Sequence, residues 1–165
     1  MINAIRFYRI AHWLYLHHIP LLPKLIQLLI FIVYASRVPY QTKIGKGTKL
    51  AHGGLGVTIA PRAEIGENCT IGYRVTIAGQ TPYHYPPKIG SNVYIAPGAV
   101  IQGPVIIEDN VVIGANAVVN KSVRAYSVVA GVPCKVIGDV RKLGYDYFNN
   151  QSTDMSHKPF IGPEE

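Results

Sequence analysis

The sequence predicts an all-β main domain built as a parallel β-solenoid, preceded by a short α-helical segment. Two observations carry the solenoid. First, Ile65, Ile71, Ile77, Ile89, Ile95, Ile101, Ile107, Ile113 and Val119 fall on one six-residue register. Second, a small or branched apolar residue follows four positions after most of them: Cys69, Val75, Val93, Ala99, Val105, Val111, Ala117 and Val123. A short fixed period marks stacked repeats, each one supersecondary unit that buries its apolar side only against its neighbours. One hexad makes one short strand and a turn, and three hexads close a triangular coil of ~18 residues. That count stacks Ile71, Ile89 and Ile107 in one interior column and Ile77, Ile95 and Ile113 in another. Gly66, Asn68, Asn92, Asn110 and Asn116 are then expected at tight corners, where a positive φ is easiest for glycine and asparagine.

The helical segment is the third observation. The stretch "AIRFYRIAHWLYLHHIPLLPKLIQLLIFIVYASRV" reads as two helices, 4–18 and 22–36, with Pro20 and Pro23 forcing the break. Its clean apolar run, Leu28 to Ala35, is far short of the roughly 20 residues that cross a bilayer. No small-residue cleavage site follows a compact apolar core, which argues against a signal peptide. The helices either pack on the main domain or attach peripherally to a membrane surface, through Trp13 and Tyr15 beside Arg6, Arg9 and Lys24. The domain expectation is thus 1–38 helical segment, 39–139 solenoid and 140–165 a tail that leaves the repeat.

Composition narrows the function classes. A chain of 165 residues suits one domain with a real core. Cys69 and Cys134 match no metal or redox spacing, which fits a reducing cytoplasm and no metal site. Cys69 sits at an inward position and reads as core. The net charge of +7 is basic but dispersed, without a Lys/Arg run or an aromatic-basic pattern, so nucleic acid is a weak partner.

The repeat slips at "KLAHGGLGVTI". Ile44 and Leu50 are six apart, but Leu50 and Ile59 are nine apart, so three extra residues enter around "HGGLG". A regular coil cannot hold them flat; they bulge outward, at low cost because of Gly53, Gly54 and Gly56, and present His52 at the surface. A second irregularity is "AGQTPYHYPPK", residues 78–88. Ile77 and Ile89 are twelve apart, which permits an ordinary hexad through Tyr83, but three prolines and no column aliphatic read as an extruded loop.

The segments "IGENCTIGYRVTIAG", "IGSNVYIAPGAVIQGPVIIEDNVVIGANAVV" and "VVAGVPCKVIG" resemble the hexapeptide-repeat acyltransferases, most of all serine acetyltransferases and their relatives in polysaccharide gene clusters. With "YRIAHWLY" and "KIGKGTKLAHGG", the resemblance covers about residues 5–138. It implies a left-handed parallel β-helix, acetyl-CoA as donor, and a homotrimer with sites in the clefts between subunits. It also implies that His52, nine residues after Lys43 of "KIG", is the general base. An imidazole, titrating near neutrality, suits proton removal from an alcohol that attacks a thioester. Gly79, Ala96 and Ala115 fall where the family threads pantetheine, and Lys135 where relatives offer a lysine to the coenzyme A phosphate, although a solvated coil end explains that lysine equally well.

The chain also departs from the pattern. The family loop ends "RHPKI"; here "YPPKI" places Tyr85 and Pro86 at the arginine and histidine, with His84 two residues before Pro86 as a substitute or as a loop residue without a role. The aspartate that precedes the family's catalytic histidine is Ala51, and the aspartate that orients it is Arg37. These losses touch the contacts for a zwitterionic amino acid more than base catalysis, for which a backbone carbonyl can fix the imidazole tautomer. The primary expectation is therefore an acetyl-CoA-dependent O-acetyltransferase acting on a sugar or polysaccharide hydroxyl, with Tyr83 or Tyr85 stacking on the acceptor. A true serine O-acetyltransferase and, behind it, a non-catalytic scaffold are the alternatives.

Overall fold

The computed structural model describes residues 2–81, 85–143, 145–147 and 151–152. Two helices come first, α1 (Ala4–Leu16) and α2 (Leu22–Tyr34), each ending two residues before the sequence-based boundary. Asn3 caps α1 by accepting the Ile5 N–H at 3.1 Å. Pro23 sits in the first turn of α2, where a missing N–H costs no helical hydrogen bond.

The rest is a three-sided parallel β-helix whose strands are mostly two residues long. The first face stacks Lys43–Ile44, Glu64–Ile65, Lys88–Ile89 and Ile106–Ile107. The second stacks Lys49–Leu50, Thr70–Ile71, Tyr94–Ile95, Val112–Ile113 and Ser127–Ala130, and the third Thr58–Ile59, Thr76–Ala78, Val100–Gln102 and Val118–Val119. Each two-residue strand turns its second residue inward. Ile44, Ile65, Ile89 and Ile107 are buried on the first face, Leu50, Ile71, Ile95 and Ile113 on the second. At ~1.5–3 kcal/mol per buried aliphatic side chain, these columns dominate the stability of the domain. The offset apolar set, Cys69, Val75, Val93, Ala99, Val105, Val111, Ala117 and Val123, is buried as well and fills the prism beneath its corners. The strand Lys135–Asp139 reverses and pairs antiparallel with Ser127–Ala130, which ends the ladder of the second face.

Two sequence-based details change. Ile71 pairs with Ile95, not Ile89, and Ile77 pairs with Ile101, not Ile95. The pairs Ile89–Ile107 and Ile95–Ile113 hold. The cause is the segment between Ile77 and Ile89: its twelve residues advance the chain by one face instead of two, so every later residue stands one face behind where an unbroken count places it. That register agrees with the extruded-loop reading, although residues 82–84 themselves lie outside the described residues, and the simple columns were inconsistent with it. The second detail is Gly66. Asn68, Asn92, Asn110 and Asn116 do occupy corners with φ of 53–58°. Gly66 does not; a Cβ there would lie 2.5 Å from the Gly90 carbonyl carbon, so its hydrogen is required by the close approach of successive coils.

The helices close the N-terminal end of the prism. Tyr8, fully buried, donates its hydroxyl to the Thr42 carbonyl at 2.5 Å, and burial pushes its phenol up to about 12 despite the pull of Arg9. Arg9 reaches across with two donors, to the carbonyls of Ile44 and Gly45, both at 2.5 Å. These bonds satisfy backbone groups of the first coil that have no preceding coil to pair with.

Candidate active site

His52 stands on a short 3-10 turn, Ala51–Gly54, at the edge between the second and third faces. Leu50 pairs with Ile71 across 21 residues, whereas Ile59 pairs with Ile77 across 18, so the three surplus residues are all in this bulge. His52 takes a left-handed conformation, φ 50° and ψ 40°, as the corner asparagines do, and its ring is exposed. The Tyr73 ring, one coil further along the same edge, meets it edge-on with centroids 5.2 Å apart. Among the described residues nothing hydrogen-bonds to either ring nitrogen, so no backbone carbonyl fixes the tautomer within one chain.

The bulge is held from beneath by both helices. Asn3 donates its side-chain amide to the Leu50 carbonyl at 2.7 Å. Gly54, at φ +89°, is packed so closely that a Cβ would lie 2.9 Å from Leu50 Cδ1 and 3.1 Å from the Ala4 methyl. From the end of α2, Ser36, fully buried, donates to the Gly54 carbonyl at 2.5 Å and accepts the Val57 N–H at 3.0 Å. The Gly56 N–H reaches the Tyr34 carbonyl at 3.0 Å. Ser36, Asn3 and Tyr73 were not singled out in the sequence. Only Asn3 carried a signal, as a capping residue before a helix.

The other candidate residues divide between two edges. Ala96 and Ala115 lie on the edge of His52, one and two coils beyond Tyr73; the Tyr73 carbonyl accepts the Gly98 N–H and the Pro97 carbonyl the Asn116 N–H along that edge. Ala96 is buried and Ala115 exposed, so this edge runs from the imidazole over small side chains. Gly79 lies on the next edge, beyond the third face, exposed and with open space around its α-carbon. Tyr85, 76 % exposed, returns from the extruded loop on that same edge. Tyr83 and His84 lie outside the described residues. Lys135 is exposed at the start of the antiparallel strand, where it pairs with Ala130 and follows Cys134, whose N–H reaches the Val118 carbonyl at 2.9 Å. Arg37 pairs through its backbone with Thr58 beside the bulge.

The cysteines offer no competing nucleophile. Burial pushes both thiols up; Cys69 is fully enclosed, with its sulfur 3.2 Å from the Gly90 carbonyl. Among the described residues no group of three His, Cys, Asp or Glu side chains is placed to hold a metal ion.

A coil of hexapeptide strands with a histidine raised on an edge bulge defines a class, and comparison with known proteins agrees. A family model described as bacterial transferase hexapeptide (six repeats) matches residues 86–121, and one described as hexapeptide repeat of succinyl-transferase matches residues 62–102. The chain is 36 % identical over 153 residues to a serine acetyltransferase of Staphylococcus epidermidis, covering 90 % of this chain and 71 % of that one. It is 34 % identical over 138 residues to a serine acetyltransferase of Synechococcus elongatus, covering 82 % of this chain and 56 % of that one. The chain belongs to the hexapeptide-repeat acyltransferase family, and these relatives within it are named serine acetyltransferases. Among solved structures, serine acetyltransferase of Brucella abortus in complex with coenzyme A superposes with a TM-score of 0.78 at 30 % identity, covering 82 % of this chain and 55 % of that one. The Neisseria gonorrhoeae enzyme in complex with serine gives 0.76 at 32 %, covering 82 % and 55 %. The chain therefore spans a little over half the length of several proteins it matches. None of these matches points to a polysaccharide-cluster branch.

Proposed function

We propose that this chain transfers the acetyl group of acetyl-CoA to the hydroxyl of an acceptor, with His52 as general base. The carrying observation is the three-residue bulge, which both helices brace and which serves no packing need of the coil. In the proposed reaction the imidazole takes the acceptor's hydroxyl proton as its oxygen attacks the thioester carbonyl. The C–S bond then breaks, and the coenzyme thiolate leaves with that proton. Ala96 and Ala115 would pass the pantetheine arm along the edge of His52, and Lys135 would meet the coenzyme phosphate.

Serine is the acceptor that the relatives favour, and it replaces a sugar as the leading reading. A sugar hydroxyl stays as the second reading on one observation: the residue before His52 is Ala51, and no Asp or Glu occurs before Glu64, so the bulge itself offers nothing to hold an ammonium group. An unpaired charge in a partly dehydrated cleft costs several kcal/mol. Steady-state kinetics decide between them. With L-serine, kcat/KM of roughly 10⁴ M⁻¹s⁻¹ or above establishes the serine reading. Negligible transfer to serine alongside measurable transfer to a hexose or amino sugar establishes the other.

A homotrimer belongs to the same proposal. Gly79 and Tyr85, on either side of the undescribed residues Tyr83 and His84, stand on a different edge than His52, so a neighbouring chain is the natural source of a loop that closes over the imidazole. Light scattering that finds a stable, fully active monomer would overturn this arrangement.

A further inference from the structure

We infer that the N-terminal helices dock this protein on an anionic lipid surface, lying in its plane without crossing it. Each helix is thirteen residues long, and no helix among the described residues is long and apolar enough to span a bilayer. Yet α2 is apolar on its outward side as well as its inward one. It buries Pro23, Ile30 and Tyr34 against the rest of the molecule. Leu25, Leu28, Leu29, Phe31, Ile32 and Val33 remain 43–71 % exposed. On α1, Ile10, Trp13 and Leu16 are 52–58 % exposed, and Trp13 is a residue type that settles at the headgroup level. A soluble monomer rarely leaves so many neighbouring large apolar side chains in water.

Charge selects the occupant. Although the chain has no Lys/Arg run, its charge is segregated. Residues 1–63 contain eight of the 16 Lys and Arg and none of the nine Asp and Glu, a balance of +8; the remainder holds eight and nine, a balance of −1. Exposed Lys24 and Arg37 line one groove with Leu28 and Phe31, so cations and apolar side chains share one recess, as a phosphate headgroup with its acyl chain requires. A second copy of the chain fits less well. A two-fold interface apposes the same patch on both partners, and the two helices carry no carboxylate to set against their own cations.

The test is flotation of the full chain with vesicles of phosphatidylcholine alone and of phosphatidylcholine with one-third phosphatidylglycerol. We expect binding to the mixed vesicles only, weakened as salt is raised from 50 to 500 mM. Phe31→Glu combined with Ile32→Glu should cut partitioning about ten-fold or more, and Lys24→Glu with Arg6→Glu by a similar factor. All four side chains are exposed, and an unchanged melting temperature verifies that the variants fold. No partitioning into anionic vesicles overturns the inference, and so does partitioning indifferent to both double variants. Self-association that the Phe31/Ile32 variant abolishes, without vesicle binding, assigns the face to a second copy and overturns it too.

Discussion

The coils from Thr70 to Val119 and the bulge at Ala51–Gly54 lie on one prism under opposite constraints. In the coils, each inward aliphatic packs on the residue one coil away, 18 residues on, or 24 where the segment between Ile77 and Ile89 intervenes. In the bulge, the chain leaves the count, and its shape is decided by contacts 18 to 50 residues distant: Asn3, Ala4, Tyr34 and Ser36. Periodic sequence encodes packing, and the departure from it carries the imidazole proposed for base chemistry. Activity and stability should therefore separate between the two regions.

The largest separation is expected at His52. His52→Ala should lower turnover about 10²–10⁴-fold, the contribution of a general base, while thermal unfolding stays within error of the parent because the ring is exposed. Near-normal turnover would remove the catalytic assignment. The converse holds for Ile95, fully buried in the middle of the second-face column. Ile95→Ala should cost ~2–5 kcal/mol in denaturant unfolding, as large-to-small core changes do, and a loss under ~1 kcal/mol would mean that the column is less tightly packed than described.

Ser36 joins the two regions. Ser36→Ala strips a donor from the Gly54 carbonyl and an acceptor from the Val57 N–H. The expected destabilisation is ~1–3 kcal/mol, together with a fall in kcat larger than any change in KM for acetyl-CoA. Unchanged kcat would show that the bulge keeps its form without this brace.

The smallest effect is on the first face, where Glu64 lies 3.4 Å from both Lys43 and Lys88, one coil to each side. Hydrogen bonds from these lysines hold its carboxyl below the usual value of 4.5. A carboxyl lowered in the folded state stabilises it above the unfolded value, and that contribution vanishes as pH falls through the folded one. Glu64→Gln should thus cost under ~1 kcal/mol at pH 7, since the pair is well exposed. The parent and variant unfolding curves should converge on acidification; a difference that persisted in strong acid would exclude the ion pair as its source.

How legible the molecule was differed by region for physical reasons. The coil requires an inward aliphatic at each strand, so a six-residue period survives in the sequence wherever the coil does. Even there, one hexad of loop displaced every later column by a face, because a period states spacing and not which residues lie inside. The three-residue surplus at His52 was legible as arithmetic. The brace beneath it was not, since Ser36 and Asn3 are ordinary polar residues until the fold sets them against Gly54 and Leu50.

By itself, then, the sequence determined the hexapeptide β-helix, the two helices broken at Pro20 and Pro23, and the place where His52 leaves the coil. These follow from local period, proline geometry and residue count, which need no partner. Only the tertiary structure decided that Tyr73 stands edge-on to His52, that Ala96 and Ala115 share its edge while Gly79 does not, and that α2 leaves its apolar outer side uncovered. Those relations depend on which coil lies above which and on how the helices seat against the first coil. That is settled by long-range packing among side chains that are equivalent along the chain and distinct only in space.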